Sequence, residues 1–251
     1  MLDFHGKAVL VTGAGAGIGE SVARAFAKAG ARVAVSSVTP SGQRVADALK
    51  AEGCEAVFVQ GDVGDEREAE QIVSGAAGAL GKLDVVVNCA GVVTGGSVEE
   101  TKLSEWERVM RVNATGTFLI SRAAIAHLKK TKGVIVNVAS LVAIKGVASR
   151  AAYSASKGAV LSLSRAMAAD LLKDGVRVNC VCPGTVLTPS LEERIQAEPD
   201  PEAARARYVS RQPIGRLGEP EEIAAAILFA ACAEAGFLNG ANIAIDGAAS
   251  L

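Results

Sequence analysis

Seven short, nearly continuous apolar runs punctuate this chain: K-A-V-L-V-T (7–12), R-V-A-V-S (32–36), A-V-F-V-Q (56–60), L-D-V-V-V-N (83–88), G-V-I-V-N-V (133–138), V-R-V-N-C-V-C (176–182) and N-I-A-I-D (242–246). Runs without strict alternation predict strands buried on both faces. Between them, apolar residues recur at helical spacing. I-G-E-S-V-A-R-A-F-A-K-A-G (18–30) stops on Gly30, 43–52 reads as a helix, and Asp65 caps a helix running to Leu80. Ser104 with Glu107 predicts a capping box for a helix through Met110 and beyond. Further helices are expected after Tyr153 and over 220–233.

Strands alternating with helices predict an α/β fold in a single domain over 1–251. Its core would be a doubly wound, Rossmann-like parallel sheet of seven strands with helices on both faces. One region breaks the pattern. Residues 187–215, rich in Glu, Arg and Pro, read as a mobile insertion over the carboxyl edge of the sheet, where such folds bind ligands.

Composition narrows the partners. The 251 residues are 50% hydrophobic and carry a formal net charge of −1 without a basic or acidic block, and the mean hydropathy is +0.31. This excludes nucleic acid and a charged membrane surface as main partners. The start, M-L-D-F-H-G-K, has no secretion-signal pattern, and the longest helix-like apolar run, Ile223 to Ala233, is too short to span a bilayer. Five cysteines (Cys54, Cys89, Cys180, Cys182, Cys232) with no C-x-x-C and two histidines give no zinc pattern. They read as buried free thiols of a cytoplasmic protein.

Two segments carry candidate chemistry. T-G-A-G-A-G-I-G (12–19) links the first strand to the first helix. It fails the G-x-G-x-x-G spacing because Ile18 stands where the last glycine belongs, but it fits T-G-x-x-x-G-x-G through Thr12, Gly13, Gly17 and Gly19. Such a loop lets backbone approach a pyrophosphate at a helix N-terminus. In Y-S-A-S-K, Tyr153 and Lys157 lie one helical turn apart and share a face. A free phenol loses its proton near pH ~10. A fixed ammonium beside it favours the phenolate and suits the phenol to proton transfer near neutrality. The bland alternative is a packed tyrosine with a lysine stem passing over it.

Further motifs follow in order: Asp62-Val63 after strand three, N-C-A-G (88–91) after strand four, Asn113 in R-V-N-A-T-G, Ser140 after strand five, and P-G-T-V-L-T (183–188) after strand six. With the glycine loop and Tyr153-x-x-x-Lys157, the whole chain resembles the short-chain dehydrogenase/reductase family. The resemblance implies a nicotinamide-dependent oxidoreductase with Asn113, Ser140, Tyr153 and Lys157 as its catalytic set. Tyr153 would be the general acid/base, and Ser140 would bind the substrate oxygen. Lys157 would hold the ribose hydroxyls, and Asn113 a water relaying protons towards Lys157. It further implies that Gly13, Gly17, Ile18 and Gly19 face the diphosphate and that Asp62 and Val63 lie at the adenine. Asn88, Ala90 and Gly91 would run along the adenosine, and Pro183, Gly184, Val186 and Thr188 at the nicotinamide amide.

Ser37 stands where a carboxylate at the end of strand two would select NAD. That charge is missing, and no basic residue follows at once. Hydroxyls of Ser36, Ser37 and Thr39 suit NAD or NADP, and the reading leans to NADP. The second half is similar to the branch of cytosolic type 2 hydroxybutyrate and 2-keto-3-deoxy-fuconate dehydrogenases. That likeness implies a small hydroxy or keto acid held by Arg150, Arg194 and Arg211, whose alternative reading is surface solvation. The branch carries Asp at Ser37, a histidine within the stretch that reads V-V-T-G-G here, and an aromatic at Ala249. An acyl-thioester reductase and a non-catalytic nicotinamide-binding regulator are the other readings. The family resemblance also implies a homotetramer, paired through helices following strands four and five.

Overall fold

The computed structural model describes residues 2–251, and Met1 lies outside them. Seven strands, β1 (Ala8–Thr12), β2 (Arg32–Ser37), β3 (Ala56–Gln60), β4 (Val85–Asn88), β5 (Val134–Val138), β6 (Arg177–Pro183) and β7 (Asn242–Ile245), form one sheet in the order β3-β2-β1-β4-β5-β6-β7. Every neighbouring pair is parallel, so all seven carboxyl ends lie on one edge.

The helices are α1 (Gly17–Lys28), α2 (Ser41–Ala51), α3 (Glu66–Leu80), α4 (Leu103–Met110), α5 (Gly116–Thr131), α6 (Ala151–Asp170), α7 (Pro189–Gln196), α8 (Pro201–Val209) and α9 (Pro220–Ala231). Strand side chains alternate between faces, which divides the core in two. Val9, Val11, Val33, Val35 and Val87 join Phe26 of α1 and Ile223 and Ile227 of α9 on one face. Leu10, Val86, Ile135 and Val178 join Ile72 of α3 and Ile120 and Leu128 of α5 on the other. Burial on both sides explains why the strands read as unbroken apolar runs.

Three expectations are corrected. The capping box at Ser104 and Glu107 does not form: α4 starts two residues early, with Lys102 as N-cap and no side-chain cap. The turn before it sets that start. Thr101 N and Oγ1 both donate to Ser97 O (3.0 and 2.7 Å), and Ser97 N donates to Glu100 Oε2 (2.8 Å). A capping box forms instead at α9, between Glu219 and Glu222. Second, 187–215 is not an irregular insertion. It folds into α7 and α8, N-capped by the Thr188 and Asp200 side chains. Leu191, Ile195, Ala204 and Leu217 bury against one another as a small core of their own. Third, the cysteines are not uniformly buried: Cys180, Cys182 and Cys232 are, whereas Cys54 and Cys89 are partly exposed as residues, the Cys89 thiol group itself being desolvated.

Among the described residues, no helix is long and apolar enough to cross a membrane. Phe118 on α5 and Phe229 on α9 are half exposed, and Phe237 is fully exposed.

The capping geometry has a direct test. The Asp65 side chain accepts from Glu68 N at 2.9 Å, while Ser104 sits exposed inside the first turn of α4. Asp65→Ala is expected to lower stability by about 1 kcal/mol, and Ser104→Ala to change it by less than about 0.5 kcal/mol, both read from denaturant midpoints. Equal losses would mean that Ser104 caps α4.

Candidate active site

The strand order reverses at β1: the chain steps outwards to β2 and β3, then returns to place β4 on the other side. A crevice opens between the carboxyl ends of β1 and β4, the usual ligand position in such sheets. Polar residues stand level there: Thr12 is in register with Ser36 and Asn88, and Asn88 with Asn137. Thr12 Oγ1 accepts from Cys89 N (3.2 Å) and Ala90 N (3.3 Å) and so shapes the turn after β4. Asn88 Nδ2 donates to Asn137 Oδ1 (2.8 Å) and Ser121 Oγ (3.0 Å), and Asn137 Nδ2 to Ser164 Oγ (2.8 Å). This fully buried chain ties β4 and β5 to α5 and α6. Asn88 therefore supports the crevice from beneath.

Helix α6 carries Tyr153 and Lys157 on its first two turns. Lys157 is 5% exposed, and one of its N–H groups donates to Val138 O at 2.8 Å. Its Nζ lies 6.0 Å from the centre of the Tyr153 ring. Ser140 is buried just past β5 and caps a short 3₁₀ turn, its Oγ accepting from Val142 N at 3.4 Å. Asn113 is fully buried in a π-helical turn, Arg111–Thr115, between α4 and α5. Its amide holds Val92 from both sides, accepting from Val92 N (2.8 Å) and donating to Val92 O (3.0 Å), and also donates to Ser156 Oγ on α6 (3.0 Å). A Cβ on Gly91 would lie 3.3 Å from both Asn113 Oδ1 and Lys157 Nζ, so these two groups converge on one point. Burial pushes the Cys89 thiol up to about 11, with Lys157 acting weakly against it. It therefore stays neutral near pH 7.

The glycine loop fits a dinucleotide. The N-cap of α1 is Ala16, which has no side chain to cap the first turn. The first N–H groups are thus left for an anion. Gly13 has φ +65°, and a Cβ there would stand 2.6 Å from Ala90 Cα; one on Gly19 would stand 2.2 Å from Gly13 O. Gly13, Gly17, Ile18, Gly19 and Gly91 line a cavity of about 940 Å³ together with Ser140, Tyr153, Lys157, Pro183, Gly184, Val186 and Thr188. That volume is at the upper end for small-molecule sites. Asp62 lies outside this lining, its carboxylate accepting from Arg111 Nη1 at 2.7 Å and Gly64 N at 2.8 Å. Burial opposes its charge, but these bonds outweigh it and hold its carboxyl below the usual range. Val63 is buried against Gly116, where a Cβ would meet its side chain at 2.7 Å.

The family model for enoyl-(acyl carrier protein) reductases matches residues 13–249. An uncharacterized oxidoreductase of Thermotoga maritima is 46% identical over 98% of this chain and 98% of its own length. The meso-2,3-butanediol dehydrogenase of Serratia marcescens is 42% identical over 99% and 96%. A solved structure from Agrobacterium tumefaciens, provisionally a gluconate dehydrogenase, superposes with a TM-score of 0.91 at 30% identity over 99% and 97% of the two chains. The chain belongs to the short-chain dehydrogenase/reductase family. This short-chain dehydrogenase/reductase is an NAD(P)-linked oxidoreductase acting on CH–OH groups.

The cavity of this short-chain dehydrogenase/reductase is also lined with cations. Arg150, Arg194, Arg211, Lys145 and Arg108 all border the cavity. Arg108 is neutralised by Glu105 through two bonds of 2.9 and 2.7 Å. Among the described residues, the other four have no Asp or Glu carboxylate within 4 Å, and Lys145 Nζ also donates to Leu251 O at 3.4 Å. Arg194 Nε donates to Ser190 O (3.0 Å), Arg211 stacks on Tyr208 (5.3 Å to the ring centre), and Lys145 Nζ donates to Ala249 O (2.6 Å). Arg150 is held at the start of α6 by Ser149. That residue has φ +55°, a strained value outside glycine, and its carbonyl accepts from both Arg150 Nη1 (2.8 Å) and Gly96 N (3.0 Å).

Sequence reasoning missed Lys145, Gln212 and Arg44. Nothing in the chain near Lys145 marks it, since its cavity position depends on the C-terminal residues folding back. Arg44 lies seven residues beyond Ser37 and was passed over because no cation follows strand two at once. Its Nη2 reaches Gly15 O (3.3 Å) and Glu20 Oε2 (2.7 Å). The Ser37 hydroxyl, by contrast, is engaged inside its own turn, donating to Thr39 O (2.6 Å) and accepting from Gly42 N (3.1 Å), and Ser36 is fully buried.

Proposed function

We propose that this enzyme interconverts a secondary alcohol and a ketone in a small hydroxy or keto acid. The observation that carries the reading is the set of four cations, Lys145, Arg150, Arg194 and Arg211, bordering the cavity of Tyr153 and Ser140 without Asp or Glu partners. Exposed cations rarely need partners, but cations gathered around one concave site attract an anion. A guanidinium fork matches a carboxylate.

The nicotinamide, when bound, accepts or donates the hydride. In the reducing direction Tyr153 gives its hydroxyl proton to the substrate oxygen, and in the oxidising direction it takes that proton back. Ser140 Oγ donates a hydrogen bond to the same oxygen. Lys157 keeps two N–H groups beyond its bond to Val138 O, and these hold the ribose hydroxyls. Asn113 fixes Val92 at the cavity wall, and its turn holds the water that returns protons through Lys157. Arg150, beside Tyr153 on the same helix, binds the substrate carboxylate.

An acyl thioester reductase is the second reading, favoured by the description of the matching family model. A neutral diol, as in the Serratia relative's name, would leave the four cations without a function. A panel of free keto acids, neutral ketones of like size and acyl thioesters separates the three readings. Tyr153→Phe is expected to lower turnover on the accepted substrate by about 10²- to 10⁴-fold while nicotinamide binding persists. Arg150→Met is expected to cost roughly ten- to a hundredfold in kcat/KM on the keto acid only. Near wild-type turnover in the tyrosine variant sinks the mechanism. Equal losses on charged and neutral ketones sink the carboxylate.

For the cofactor, the reading is NADP over NAD. Thr39, Ser41 and Arg44 gather beside Gly15: Thr39 Oγ1 and Ser41 Oγ are 2.8 Å apart, and Arg44 touches Gly15 O. Two hydroxyls and a guanidinium at the end of β2 offer what a 2′-phosphate needs. Glu20 must share Arg44 with it. Burial disfavours the Glu20 charge, but hydrogen bonds from Arg44 and Arg24 hold its carboxyl below the usual range, so the pair stays charged near neutrality. Fluorescence titration is expected to show Arg44→Ala binding NADPH about tenfold more weakly or worse, with NADH unchanged. Parallel losses for both cofactors would remove the lean to NADP.

The assembly is proposed as a homotetramer, supported by the family expectation and by the half-exposed Phe118 on α5. Light scattering that reports a stable monomer counts against it.

A further inference from the structure

We infer that Gln212 is the positioning residue for the nicotinamide end of the cofactor. It acts by clamping Thr185, the middle of the loop after β6. The inference rests on the reading of residues 183–188 as the nicotinamide loop.

Three observations carry it. First, Gln212 is a polar side chain only 4% exposed, and both ends of its amide go to one residue. Its Oε1 accepts from Thr185 N at 3.3 Å, and its Nε2 donates to Thr185 Oγ1 at 2.9 Å. The third polar group of Thr185, its carbonyl, accepts from Gly218 N at 2.9 Å, and Leu187 N donates to Gly218 O at 2.8 Å. Thr185 is therefore held through every hydrogen-bonding group it has by the segment 212–218.

Second, the loop is a partition with space on both sides. Gly184, Thr185, Val186 and Gln212 border the large cavity of about 940 Å³ and also a second one of about 140 Å³, which Ile214, Ile223, Ile245 and Arg216 line on its other side. A segment between two cavities lacks the close packing that fixes a core residue. Its position then depends on directed hydrogen bonds. Gly184 fits this reading, because a Cβ there would stand 2.9 Å from Gln212 Oε1 and 2.8 Å from Asp246 Cα. The clamp needs that space.

Third, Gln212 belongs to the 187–215 insertion that carries α7 and α8. Its N–H donates to Val209 O at the end of α8 at 2.9 Å, and its neighbour Arg211 stacks on Tyr208 of α8. The residue before the clamp thus faces the substrate end, and the clamp faces the nicotinamide end. Substrate anion and cofactor ring are held by adjacent residues of one segment.

The test compares two ligands that differ only in the nicotinamide. Wild type, Gln212→Met and Thr185→Val are titrated with the reduced dinucleotide, read by nicotinamide fluorescence, and with its counterpart lacking the ring, ADP-ribose or 2′-phospho-ADP-ribose, read by calorimetry. Gln212→Met keeps the length and loses both bonds, while Thr185→Val keeps the volume and loses the hydroxyl bond. Gln212→Met is expected to bind the dinucleotide about tenfold more weakly, with a smaller rise in nicotinamide emission, and the ring-less ligand within about twofold of wild type. The double variant is expected to be no weaker than Gln212→Met alone. Equal losses on both ligands would mean that Gln212 serves only the fold, and no loss on either would mean that the clamp is idle; each overturns the inference. If Gln212→Met does not fold, Thr185→Val decides by the same comparison. A wild type that binds the ring-less ligand as tightly as the dinucleotide, with no change in emission, overturns the reading of residues 183–188 instead.

Discussion

Everything at this site depends on the parallel register of β1, β4 and β5. It brings Thr12, Asn88 and Asn137 to one level at the carboxyl edge. Because the strands are parallel, each must be followed by a crossover, and because the order reverses at β1, the crossovers leave to opposite sides. The gap between them is where the glycine loop and the N-C-A-G turn meet, with Thr12 Oγ1 joining the two. The buried amides of Asn88 and Asn137 then carry this register outwards to Ser164 on α6. A hydrogen-bonded chain of this kind is exacting, since any buried member left unpaired costs more than the bond contributes. That is a physical reason for α6 to sit at one depth, and for Tyr153 and Lys157 to reach the crevice together.

The same helix is constrained at its start. Gly96 N donates to the strained Ser149 O while Gly96 O accepts from Ala151 N, and Asn113 grips Val92, four residues earlier, at the cavity wall. The π-turn that contains Asn113 inserts an extra residue into an otherwise continuous helix between α4 and α5. Such turns recur at functional sites. Here it keeps a fully buried side chain aimed across the helix axis at Val92 and Ser156.

Charge is distributed unevenly around the cleft. Away from the cavity lining, cations are matched: Arg111 with Asp62, Arg24 and Arg44 with Glu20. On the lining, Arg108 pairs with Glu105, whereas Lys145, Arg150, Arg194 and Arg211 hold backbone oxygens or an aromatic ring instead. These contacts orient the side chains without neutralising them. A net charge of −1 for the whole chain hides this local excess, which no composition figure could reveal.

The sequence by itself determined the parallel sheet and the succession of its strands, and it singled out Asn113, Ser140, Tyr153 and Lys157 as candidates. The reason is that these are written locally: strands buried on both faces must be continuously apolar, a phosphate loop must be rich in glycine, and two residues four apart on a helix must share a face. It failed wherever the deciding neighbour is distant in the chain. The start of α4 is set by the Ser97–Thr101 turn rather than by the Ser-x-x-Glu pattern at Ser104. The polar look of 187–215 concealed two helices, because Leu191 and Ile195 find their partners in Ala204 and Leu217 rather than in the sheet. Arg44 reaches the glycine loop from α2 across 29 residues, Gln212 reaches Thr185 across 27, and Lys145 reaches Ala249 across 104. Those contacts exist only once the crossovers have stacked the loops along one edge, so tertiary structure alone decided which cations face the cleft and what holds the loop after β6.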